Sequence, residues 1–155
     1  MCFSAITIAR YFIEKSEGTK TPMQLNKLTY IAHGWSLAIF DRPLIIEDIE
    51  AWEYGPIIPL LYHAFLKYGG NPVPYKKIVE TNSIKDDVKA LLDKILDVYG
   101  VYEGVYLSAL THQKGTPWSK TLRYKENVKM RDDIIKDYYV ELGKKNKEKL
   151  LNKVA

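Results

Sequence analysis

From Thr21 to Ile39 the chain carries a helix with almost no polar face, and the fold has to be built around it. Thr21-Pro22-Met23-Gln24 is a strong helix start. Thr21 can cap, Pro22 suits the first helical position, and Gln24 can complete a capping box. Leu25, Leu28, Ala32, Trp35 and Ile39 then form a stripe, while Met23, Tyr30, Ile31, Leu37 and Ala38 add apolar groups on other sides. A helix that is apolar nearly all round belongs in the centre of a domain. Gly34 within it implies a close neighbour, since glycine costs about 1 kcal/mol of helix propensity against alanine. Asp41-Arg42-Pro43 ends the helix.

The other elements are shorter. Ala5, Ile8, Ala9 and Phe12 repeat at helical spacing over residues 4–15. Leu44-Ile45-Ile46 and Ile49–Tyr54 read as short strands joined tightly at Glu47-Asp48. Gly55-Pro56 breaks the chain, and Pro59 opens an amphipathic helix with Leu60, Leu61, Ala64, Phe65 and Tyr68 on its stripe, closed by Gly69-Gly70. Tyr75–Val79 is a possible edge strand. Ser83 is expected to cap a helix that has Asp86 and Asp87 in its first turn and ends at Gly100. A short helix follows over 103–112, then Thr116-Pro117-Trp118 as cap, first-turn proline and buried aromatic. A last helix runs from about Met130 to Leu142. The expectation is a mainly α fold, a single compact helical domain over residues 1–142 with a small β-hairpin or short antiparallel sheet. Residues 143–155 would be a basic, frayed tail.

Charge narrows the partners. The net charge is +4, from 23 basic and 19 acidic side chains. Residues 143–155 hold five Lys and one Glu, leaving 18 basic against 18 acidic side chains before them. A nucleic-acid reader carries its positive charge on a face of the fold. A neutral body with a basic tail makes nucleic acid a possible but secondary partner. Twelve Tyr suit a protein interface, being apolar with a polar tip. No apolar run reaches the length of about 20 residues that spans a bilayer. The start of the chain lacks the pattern of a signal peptide, and a single Cys2 fits a reducing cytoplasm.

No motif for chemistry stands out. Cys2, His33, His63 and His112 lack metal-ligand spacing, and His33 and His63 read as hydrogen-bonded structural histidines. Ser108 and His112 lie one helical turn apart, but no orienting acid or oxyanion loop accompanies them. Asp86/Asp87 and Asp132/Asp133 sit at helix starts, where the helix dipole accounts for them. Neither a catalytic set nor a cofactor is expected. A small hydrolase with His112 as base is the weakest alternative.

Two blocks of sequence carry a resemblance. The first comprises Leu25-Asn26-Lys27-Leu28-Thr29-Tyr30-Ile31-Ala32, Arg42-Pro43-Leu44, Glu50-Ala51-Trp52-Glu53-Tyr54-Gly55-Pro56-Ile57-Ile58-Pro59, Leu60-Leu61-Tyr62 and Lys67-Tyr68-Gly69. The second is Leu107-Ser108-Ala109-Leu110-Thr111-His112 with Pro117-Trp118. In this order they resemble the Panacea domain, also called the SocA-like antitoxin domain, found in bacteria and on phages and other mobile elements. Thr29 stands where Leu is common, and four residues separate His112 from Pro117 where fewer are usual. The resemblance implies a cytoplasmic antitoxin that binds and neutralises a toxin protein, with no catalytic residues to carry over.

Within those blocks, Trp52, Gly55, Pro56, Pro117 and Trp118 read as structural. Asn26, Lys27, Glu53, Tyr54 and His112 are polar or half-polar and need partners if buried. Either they hydrogen-bond one another across the strand and the central helix, or they face a groove that grips the toxin. Tyr54, Tyr62 and Tyr68 are candidate aromatic anchors of the interface.

Overall fold

The computed structural model describes the backbone of residues 2–76, 83–121 and 127–154. At its centre is α2 (Pro22–Phe40). Its capping box forms as the sequence suggests: the Gln24 amide donates to the Thr21 hydroxyl, and the Gln24 side chain accepts from the Thr21 amide. Every residue from Leu25 to Gly34 is buried, and the buried stretch ends before Ile39, which is 58% exposed. Around α2 pack α1 (Ala5–Lys15), α3 (Pro59–Phe65), α4 (Asp86–Tyr99), α5 (Gly104–His112) and α7 (Asp132–Val154). A short α6 (Pro117–Thr121) joins α5 to the last part of the chain, and a 3-10 turn (Leu66–Tyr68) extends α3. Gly34 is where α7 comes closest: a Cβ there would lie 2.2 Å from the Tyr139 ring.

The sheet is small and antiparallel, in the order β2-β1-β3, with β1 Glu50–Trp52, β2 Gly55–Ile57 and β3 Val128–Lys129. It differs from the expected hairpin. Leu44–Ile46 does not pair with Ile49–Tyr54; Ile45 instead forms a single parallel bridge with Phe3. Glu47-Asp48 lacks the glycine or asparagine of a two-residue hairpin, and the Glu47 carboxylate accepts from the Ala5 amide at the start of α1. The chain reverses at Glu53-Tyr54, and Gly55-Pro56 continues as β2, with Trp52 opposite Gly55 and Ala51 opposite Pro56. A proline is tolerated there because β2 is an edge strand. β3 has two residues, too few for any alternation to show in sequence.

Two helix ends and one possible strand also differ. Ser83 does not cap α4. Ile84 turns into the core, Lys85 occupies the cap position without a side-chain bond, and the Asp87 carboxylate accepts the Val88 amide. The last helix does not stop at Leu142 but continues through Gly143 to Val154, over the residues expected to fray. No proline follows Gly143, and Lys and Glu are good helix formers. Tyr75 and Lys76 are not strand, and the rest of the possible strand at Tyr75–Val79 lies outside the described residues. Among the described residues, no helix is long and apolar enough to cross a membrane.

Candidate functional site

The two sequence blocks meet at the β1–β2 hairpin. Side chains from three helices bind its backbone. From α2, the Asn26 amide donates to the Ile58 carbonyl at 3.2 Å and accepts from the Ile58 amide at 2.9 Å. Asn26 thus does for the chain just beyond β2 what a neighbouring strand would do, and covers an edge that would otherwise be open. The Lys27 amine donates to the Pro56 carbonyl at 2.8 Å, with a longer contact of 3.5 Å to that of Tyr54. From α5, the Ser108 hydroxyl donates to the Tyr54 carbonyl at 2.6 Å. From α6, the Trp118 indole donates to the Trp52 carbonyl at 2.5 Å.

The polar residues therefore do not hydrogen-bond one another: Asn26 and Lys27 bind backbone. His112 packs its ring edge-on against Trp118 at 5.3 Å, and its Nδ1 bonds the Ser108 carbonyl of its own helix. Ser108 gives its proton to the hairpin and His112 Nδ1 bonds the Ser108 carbonyl, so the two side chains, one helical turn apart, are not hydrogen-bonded to each other as a nucleophile and its base would be. Pro117 is buried at the start of α6, and the Thr116 hydroxyl accepts the Ser119 amide as a cap should. Gly55 has φ of +119°, and a Cβ there would lie 2.9 Å from the Lys27 nitrogen. Only glycine meets both constraints.

With the backbone held from below, the turn's side chains point away. Tyr54 is 68% exposed and Glu53 is exposed beside it. Trp52 is half-buried, donates to Glu50 and meets Tyr62 edge-on at 5.1 Å. An open groove of about 500 Å³ runs between this hairpin, the first turns of α2 and the end of α3. Tyr54 and Tyr62 line it with Met23, which the sequence reading counts among the apolar groups of the central helix but which is 43% exposed, and with Leu66, which it does not single out. Asn26 and Lys27 also contribute to its wall. Two of the expected residues lie elsewhere. Tyr68 packs against Phe65, and Tyr30 is buried beside Tyr139, where its hydroxyl makes no hydrogen bond of standard geometry.

Lys27 is electrostatically unusual. Its side chain is 1% exposed, and among the described residues no carboxylate lies within ion-pairing distance. Burial alone lowers its pKa to about 7.

The two named histidines separate. His33 is buried, and its Nδ1 accepts from the amides of Leu44 and Ile45. That places the proton on Nε2, which donates to Asp132 at 2.8 Å. His63 is exposed, with its ring against Tyr62, and is not the hydrogen-bonded structural histidine expected. Among the described residues, no group of three or more His, Cys, Asp or Glu could hold a metal.

The family model described as "Antitoxin SocA-like, Panacea domain" matches residues 25–119, a span that contains each helix side chain bound to the hairpin. Antitoxin SocA of Caulobacter vibrioides (strain NA1000 / CB15N) is 30% identical over 127 residues, covering 74% of this chain and 68% of that protein. No solved structure matches.

Proposed function

The chain belongs to the SocA-like antitoxin, Panacea domain family, and from that premise we propose that it neutralises a toxin protein by binding it directly through the hairpin groove. One observation carries this reading. The hairpin's backbone is held by Asn26, Lys27, Ser108 and Trp118, which leaves Tyr54, Tyr62, Leu66 and Met23 exposed around a single concavity. Exposed apolar groups gathered at a groove mark an interaction site. Tyrosines supply large contact area with few rotors to freeze, as interface anchors do. A stable complex would bury about 1,200–2,000 Å² in total, so the contact extends beyond the groove. The protein acts in the cytoplasm, where Cys2 stays reduced, and the family resemblance associates it with phages and other mobile elements.

Co-expression with the product of the adjacent gene tests the proposal. The expected result is growth arrest by the neighbour alone, rescue by this chain, and a complex that co-purifies. Tyr54→Ala and Tyr62→Ala each weaken that complex by about ten-fold or more, at unchanged melting temperature for Tyr54→Ala. The absence of a toxic neighbour, or a failure of the chain to rescue growth, refutes the proposal.

A further inference from the structure

The exposed charge around the groove has one sign. A second cleft of about 600 Å³ shares Met23 and Gly69 with the groove and runs on to Val105, which is 75% exposed. Together the two form a channel with largely apolar walls. Among the described residues, the exposed charged side chains that line it are both carboxylates, Glu53 at the hairpin and Glu103 just before α5. Lys27 does not balance them, because it is buried and its amine is bound to the Pro56 and Tyr54 carbonyls. Elsewhere the chain supplies exposed carboxylates with its own cations: Arg42 pairs with Asp87, Lys129 with Asp48, Arg131 with Asp133 and Lys136 with Asp41. Aromatic rings are covered in the same way, Tyr11 by Lys15, Phe40 by Arg42 and Tyr68 by Lys67. Among the described residues, no cation pairs with Glu53 or Glu103, and none lies over Trp52, Tyr54 or Tyr62. A chain of net charge +4 therefore leaves its channel acidic and its rings bare.

Building on the binding role proposed above, we infer that the channel receives a basic, amphipathic segment of the toxin, with one Arg or Lys against Glu53 among the groove's aromatic rings, a second at Glu103, and apolar side chains between them on Met23 and Leu66. A carboxylate beside aromatic rings is a setting that selects a cation: the ring quadrupole attracts it, and the carboxylate accepts its hydrogen bonds. Arginine suits both, since a guanidinium stacks on a ring and meets a carboxylate as a planar fork. The apolar stems of Arg and Lys also fit apolar walls. Complementary charge fixes register and speeds encounter more than it adds affinity. The apolar contacts thus hold the complex, and the two carboxylates select the partner.

The test is charge reversal read by titration calorimetry, using the full chain and the toxin encoded beside it. Glu53→Lys, Glu103→Lys and a control, Asp97→Lys, are first checked for a wild-type melt. Asp97 is exposed on α4, which lines neither cleft, and its reversal changes the net charge by the same amount. Glu53→Lys should weaken the complex by about ten-fold or more and Glu103→Lys by about three-fold or more, with Asp97→Lys within about two-fold of wild type. Each Arg and Lys of the toxin is then changed to Glu. One such change should weaken binding to the wild type yet strengthen binding to Glu53→Lys by about five-fold or more. If Glu53→Lys does not fold, Glu53→Gln takes its place in a double-mutant cycle with the same toxin variants. A complex that forms while no basic residue of the toxin couples to Glu53, or that Asp97→Lys weakens as much, overturns the basic segment and leaves direct binding standing. The lack of any complex overturns direct binding itself. In sedimentation velocity the free chain should be a monomer. A dimer broken by Glu53→Lys would put a second copy in the channel and overturn the inference.

Discussion

At the scale of single residues, Lys27 makes the sharpest statement about energetics. An unfolded chain holds the amine near its ordinary pKa of about 10.4, whereas burial lowers it to about 7 in the folded protein. Below pH 7 both states carry the proton, and the folded state bears the full cost of the buried charge. Between pH 7 and about 10 the unfolded state binds a proton that the folded state has released, so stability rises with pH in that window. Urea melts at pH 7 and pH 9 should show the wild type gaining up to about 2 kcal/mol relative to Lys27→Met. Parallel pH profiles for the two proteins would show that the amine is better solvated than its surroundings imply. At neutral pH, Lys27→Met loses two bonds to carbonyls but also a buried charge, and these offset each other in part.

Among the elements, the α2–α7 contact decides how tightly the molecule closes. Gly34 faces the ring of Tyr139, which is 3% exposed and held edge-on by both Tyr30 and Trp35. Alanine at position 34 would gain about 1 kcal/mol of helix propensity. It would also place a Cβ 2.2 Å from a ring with no room to retreat. Overpacking of this kind costs about 1–3 kcal/mol, so after the propensity gain Gly34→Ala should destabilise by up to about 2 kcal/mol. A melting temperature at or above that of the wild type would contradict the packing. The hairpin follows a different logic: its ladder is short, and side chains from α2, α5 and α6 hold it in place of further strands.

For the whole molecule, His33 ties together three segments distant in sequence: α2, the Leu44–Ile45 stretch and the start of α7. Its hydrogen bond holds the Asp132 carboxyl below the usual carboxylate range, with burial opposing the shift. A depressed carboxylate contributes stability that is present above its unfolded pKa and lost as pH falls through the folded value. Asp132 is about half exposed, which limits its share to under about 1 kcal/mol. Asp132→Asn should therefore melt slightly lower than wild type at pH 7, with the gap closing as pH falls below about 4. A gap that stays constant into acid would place the stabilisation elsewhere.

What the sequence alone determined is local or periodic. Thr21-Pro22-Met23-Gln24 announces the cap of α2, since the capping box is a four-residue geometry. The apolar residues behind it announce burial on all sides, because a helix turns every side chain outward in a fixed rotation. Gly34 announced a close approach, though not that Tyr139 makes it. Tertiary structure alone decided the rest. It placed the hairpin at Glu53-Tyr54 rather than Glu47-Asp48, because strand pairing depends on contacts from α2 and β3 that lie far away in sequence. It spent Asn26, Lys27, Ser108 and Trp118 on backbone carbonyls and amides, groups that carry no residue identity, so the motifs contain the four side chains without showing what they bind. It also brought Met23 and Leu66, which nothing in the sequence marks as interface residues, beside the candidate anchors Tyr54 and Tyr62 around one groove with Lys27 in its wall.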